Sequence, residues 1–75
     1  MDNLNDLKVA IKSNFNLDLT IKHNNKIECL TGLVYGRFNL FITIINNNIR
    51  VNYLNGKYSF LNRIDLMLFM NEIAK

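Results

Sequence analysis

The sequence predicts a single α+β domain over residues 1–75, a two-layer fold in which a five-stranded antiparallel meander is flanked by an N-terminal and a C-terminal helix (α-β-β-β-β-β-α). Three observations predict it. Apolar residues recur at helical spacing near both ends, they alternate with polar residues from Leu17 to Phe60, and asparagine- or glycine-bearing turn signals divide the alternating region.

The first helix is read from Leu4, Leu7 and Ile11, which share one side, while Lys8 and Lys12 share a polar one. Asn3 is placed to cap its start, with Asp2 and Asp6 at the positive end of the helix dipole. The helix is expected to end near Ser13-Asn14.

Leu17, Leu19 and Ile21 begin the first strand, which turns at Asn24-Asn25-Lys26. A second strand carries Ile27, Cys29, Thr31 and Leu33 to Tyr35-Gly36, and a third runs through Phe38, Leu40, Ile42 and Ile44 to Asn47-Asn48. Val51 and Tyr53 mark the fourth, Asn55-Gly56 the last turn, and Tyr58 and Phe60 the fifth. A three-residue first loop and two-residue loops elsewhere place Ile21 opposite Cys29, Cys29 opposite Ile42, Leu33 opposite Phe38, Ile44 opposite Val51 and Tyr53 opposite Tyr58. That register gathers the main apolar set, Cys29 included, on one face.

The C-terminal helix is expected to be capped by Asn62, with Asp65 three residues on. Leu66, Phe69, Met70 and Ile73 form its core stripe. Ile64, Met67 and Leu68 widen the stripe beyond what one packed face needs, so this helix should be either sandwiched or in contact with something outside the monomer. Both helices are expected on the inner face of the sheet.

The 75 residues allow one small core, and 49% apolar content is far too high for a disordered chain. Cys29 is the single cysteine, which excludes an internal disulfide and a cysteine-based zinc site and fits a reducing compartment. The N-terminal residues are polar and acidic, unlike a targeting peptide, and the apolar runs are too short and too interrupted to span a membrane. A cytoplasmic location is expected. Codon usage behind the abundant Asn, Ile and Lys fits a low-GC bacterium or its phages and plasmids.

Catalytic patterns are missing. His23 is the only histidine, and the three glycines are scattered, so neither a histidine metal site nor a phosphate-binding loop is expected. Asp2, Asp6 and Asp65 belong to helix starts, and Glu28 is expected to pair with Lys22 across two strands. No two carboxylates are spaced as an acid–base couple. The expectation is a non-enzyme without a cofactor or metal.

The informative part is the outward face. The register above aligns Leu30, Phe41 and Leu54 in one row across it, with Ile45 beside Arg50. An apolar row with an aromatic and an arginine resembles a binding hot spot, unless one helix lies on each face and the row is simply core. Leu30, Phe41, Ile45, Arg50 and Leu54 are therefore the candidate protein-binding residues, with Ile64 and Leu68 of the last helix beside them. The partner would be a foreign protein or a second copy in a homodimer. The alternative is nucleic acid. Net charge is +3 and the pI is near 9.3, and Lys22, Tyr35, Arg37, Phe41, Arg50 and Lys57 would then form a basic face with stacking platforms.

In size, Asn/Ile-rich composition and helix–sheet–helix layout, the chain resembles the small proteins that phages carry to inhibit host machinery, anti-CRISPR proteins among them. The likeness covers the whole chain but is one of layout, without diagnostic residues. It implies an inhibitor that docks on a protein target. The basic charge sets the chain apart from the acidic DNA mimics in that group.

Overall fold

The structure is a computed structural model that describes residues 3–74. Asp2, assigned above to the first helix start, lies outside them. Helix α1 spans Leu4–Phe15, strands β1–β5 span Thr20–Asn24, Ile27–Val34, Phe38–Ile45, Asn48–Tyr53 and Gly56–Phe60, and helix α2 spans Arg63–Ile73. The strands pair antiparallel in sequence order, β1-β2-β3-β4-β5, so the meander and the element order are as the sequence predicts.

Both helices start at the expected caps. The Asn3 side-chain oxygen accepts from the Asp6 N–H at 2.8 Å, and the Asp6 carboxylate accepts from the Asn3 N–H at 3.3 Å, a complete capping box. In α2 the Asn62 oxygen accepts from the Asp65 N–H at 2.9 Å. Helix α1 runs past Ser13-Asn14 because Asn14 stays helical, its amide donating to the Ala10 carbonyl. The helix stops at Asn16, which takes the left-handed conformation at φ 54° and returns its N–H to Lys12.

The core lies between the sheet and both helices. One row of directly paired residues, Ile21–Leu30–Ile42–Val51–Tyr58, crosses all five strands. Leu30, Ile42 and Val51 in that row are buried together with Leu7 and Ile11 of α1 and Leu66 and Met70 of α2. The helices therefore share the inner face, and the other face of the sheet is uncovered.

Strand β2 is turned over relative to the sequence expectation. Its first hairpin closes through the two residues Asn25-Lys26, and the next through the three residues 35–37, so Leu30 rather than Cys29 lies opposite Ile21 and Ile42. Leu30 and Val34 enter the core, while Cys29 and Leu33 face outward. The two errors in loop length cancel, which is why β1 and β3 keep their expected faces. Gly32 shows why this register is preferred. A Cβ there would lie 2.5 Å from Leu19 Cδ2 and 2.9 Å from the Asp18 carbonyl oxygen, so the chain entering β1 packs directly on the glycine. The expected Glu28–Lys22 pair is replaced by His23 opposite Glu28, with Nε2 and Oε2 3.6 Å apart.

The last two turns each move by one residue, which shifts the strand pairing by two and leaves every face unchanged. They turn at Asn46-Asn47 and Leu54-Asn55, so Ile44 pairs with Ile49 and Tyr53 with Gly56. Gly56 thus sits in the strand rather than the turn. The Tyr58 ring lies across it, with the hydroxyl 2.6 Å from where a Cβ would stand. Tyr58, Phe60 and Tyr53 then ring Phe69 of α2, at centroid distances of 4.6, 5.4 and 6.4 Å.

Candidate functional site

The uncovered face is organised around Phe41. A second row of directly paired residues, Thr20–Thr31–Phe41–Asn52–Lys57, runs across the sheet with Phe41 on its central strand. Phe41 remains 41% exposed, with exposed Leu33 diagonal to it on β2 and Ile45 further along β3. Lys22 on β1, Arg50 on β4 and Lys57 on β5 stand around these side chains, all exposed. No aspartate or glutamate occupies an outward strand position. The acidic groups of the described residues lie elsewhere: Asp6 on α1, Asp65 and Glu72 on α2, Asp18 ahead of β1, held to Lys12 at 3.0 Å, and Glu28 on β2, which shares the parity of inward Leu30 and stands beside His23 at the strand end. The face combines an apolar strip with cations of one sign.

At one end of the sheet the face deepens into a depression of about 590 Å³ between the β2–β3 and β4–β5 turns, lined by Arg37, Phe41, Asn52, Leu54 and Lys57 among others. The Arg37 guanidinium carbon lies 5.4 Å from the Phe38 ring centroid, a cation–π distance. Its backbone N–H closes the β2–β3 turn on the Val34 carbonyl at 3.1 Å.

The structure separates the predicted protein-binding residues into four groups. Phe41, Ile45 and Arg50 lie on the uncovered face, as expected. Leu54 does not join their row; it occupies a turn, yet reaches the Phe41 end of the face through the depression. Leu30 is corrected outright, because it is fully buried and has no surface to offer. Ile64 and Leu68 are exposed on α2, which packs on the inner face, so they cannot act jointly with Phe41 on one flat partner surface. Of the nucleic-acid candidates, Lys22, Phe41, Arg50 and Lys57 share the sheet face, while Tyr35 and Arg37 sit in the β2–β3 turn at its end. Sequence reading missed Ile27 and Leu33 as outward residues. The signal that could have found them is the shared parity of Glu28, Leu30 and Gly32, since only the inward Gly32 lets the β1 lead-in pack.

Cys29 also faces outward, opposite Lys22, half-buried between its neighbours. Burial pushes its thiol above the ordinary value, and the Lys22 charge only partly opposes this, so at neutral pH it is a protonated, weak nucleophile. His23 lies exposed at the end of β1 beside Glu28. Among the described residues no three His, Cys, Asp or Glu side chains converge to hold a metal ion, and no helix is long and apolar enough to cross a membrane.

The uncovered face thus presents exposed apolar area bordered by positive charge. No protein-family model, curated protein or solved structure matches the chain.

Proposed function

We propose that this protein is a non-catalytic binding module that docks on a protein target through its uncovered sheet face. The observation that carries the reading is the exposed Phe41 on the central strand, with apolar neighbours and a rim of Lys22, Arg50 and Lys57. An aromatic anchor inside a polar, charged rim is the make-up of interface hot spots. Aliphatic side chains outnumber aromatic ones on this face, which favours a protein surface over stacked bases. The thiol chemistry of Cys29 and the exposed position of His23 support a role without catalysis. In its narrower form the proposal is an inhibitor of host machinery encoded by a phage or mobile element, which rests on the resemblance in size, composition and layout described from the sequence.

Phe41→Asp tests the reading. It should leave the fold intact, lowering the melting temperature by no more than about 8 °C, and abolish capture of the partner from host lysate. Undiminished capture by a folded Phe41→Asp protein would exclude this face. Light scattering across a concentration series, on the same two proteins, tells a foreign partner from a second copy.

Nucleic acid is the second reading, favoured by the absence of carboxylates among the outward strand residues. It requires binding of a single-stranded oligonucleotide that weakens steeply with salt and is lost in an Arg50→Glu/Lys57→Glu variant.

A further inference from the structure

We infer that the partner of the uncovered sheet face is the outward side of α2 in a second copy, so that copies join head to tail; the inference rests on the docking role proposed for that face.

Helix α2 is apolar on two sides. Leu66 and Met70 are buried in the core, whereas Ile64 and Leu68, four residues apart and so stacked on one side, are 72% and 64% exposed. Leu61, just ahead of the helix, is 79% exposed. Among the described residues these three are the most exposed large apolar side chains. A second apolar stripe on a helix already packed into a core marks a contact surface. Both helices pack on the inner face of the sheet, so this stripe and Phe41 look out from opposite sides of the molecule. One copy cannot close its two apolar surfaces on each other, but successive copies can.

Charge selects that pairing. A groove of about 510 Å³ between β5 and α2 runs beside the stripe, lined by Leu61, Asp65, Leu68 and Glu72 among others, and no lysine or arginine is part of its lining. Arg63 lies on the other side of the stripe, in the groove toward α1. The sheet face carries Lys22, Arg50 and Lys57 and no carboxylate at an outward strand position. Sheet face on sheet face would set cations against cations, whereas α2 on the sheet joins opposite signs. The spacing also fits. Asp65 and Glu72, seven residues apart on one side of the helix, are separated by about 10 Å. Arg50 and Lys57 stand on neighbouring strands, offset by two residues, about 8 Å apart. Their flexible side chains span the difference. A contact between unlike, opposite sides does not close on itself, so it extends into open chains rather than stopping at a dimer.

The test is light scattering on the full chain across a concentration series at low and high salt. Wild-type mass should rise past the dimer without a plateau, and fall back at about 0.5 M salt. Phe41→Asp and Ile64→Lys/Leu68→Lys should each stay monomeric, with melting temperatures within about 8 °C of wild type. Mixed one to one they should form a dimer and no more, because each variant keeps one intact face. Arg50→Glu/Lys57→Glu should weaken association at least about tenfold, and adding Asp65→Lys/Glu72→Lys to the same chain should recover at least about threefold of it. A wild-type plateau at the dimer, a mixture that remains monomeric, or a wild type that is monomeric at about 1 mM would each overturn the inference. A monomeric wild type whose capture of a host protein is lost in Phe41→Asp would remove the head-to-tail contact and keep the docking face. Self-association and host capture both unchanged by Phe41→Asp would remove the two together.

Discussion

Asn46 and Leu54 occupy the same conformational position in two consecutive hairpins, at φ 51° and 50°, and each is followed by an asparagine at φ 66°. Two positive-φ residues in a two-residue loop match the right-handed twist of the flanking strands. The backbone requirement is thus identical at both ends of β4, but only the Asn46 end meets it with a suitable residue. The difference lies in the side chain alone, so its consequences for stability and binding can be separated.

Leu54→Asn should stabilise the fold by about 1 kcal/mol, because it relieves a branched aliphatic residue of a left-handed backbone. The urea midpoint should rise with an unchanged denaturant slope. A fall in midpoint would mean that Leu54 contributes packing that its exposure does not reveal.

Leu30→Ala and Leu33→Ala, three residues apart on β2, should differ sharply. The first removes a fully buried side chain and should cost about 2–5 kcal/mol, enough to unfold much of a domain this small. The second trims an exposed residue and should cost under about 1 kcal/mol. Thermal melts of the pair read the orientation of β2 directly; the reverse order would turn the strand over again.

Gly32→Ala should destabilise by about 1–3 kcal/mol, since the added methyl meets both the Leu19 side chain and the Asp18 backbone. Leu19→Ala in the same chain should recover part of that loss, a coupling that a double-mutant cycle measures. Additive effects would show that the contact is not the source of the cost.

The pH dependence of stability should carry a Cys29 component of known sign. Its folded pKa is raised, chiefly by burial, so the folded chain holds the thiol proton more tightly than the unfolded one. That contribution is complete below the unfolded value and is lost as pH rises through the folded one. Wild type and Cys29→Ser should therefore show parallel stability profiles at neutral pH. Above the ordinary thiol range the wild type should fall away faster. Profiles that remain parallel throughout would mean that the thiol is solvated.

The caps and the strand count were legible because the signals are local. Asn3 with Asp6 and Asn62 with Asp65 satisfy helix donors within three residues, and no distant part of the chain can alter that arithmetic. For the candidate site, Phe41, Ile45 and Arg50 were legible through alternation on β3 and β4. The pocket beside them was not. It depends on Leu54 and Arg37 lining one depression from two different turns, and the Asn55-Gly56 signal pointed one residue away from the turn that forms. Pairing Gly56 with Tyr53 under the Tyr58 ring, and Phe60 with Ile49, outweighs the preference of a glycine for the turn.

By itself the sequence determined the order of elements, the antiparallel meander and the inward face of four strands, since period and turn chemistry act over a few residues. Tertiary structure alone decided the face of β2. That strand carries apolar residues on both sides, Leu30 and Val34 against Cys29 and Leu33, so alternation gives no preference. Two loops totalling five residues could divide them either way without disturbing β1 or β3. The choice was made by Gly32, the one place in the strand where the lead-in to β1 could approach the sheet. With Leu30 drawn inward, Leu33 joins Phe41 on the face left open.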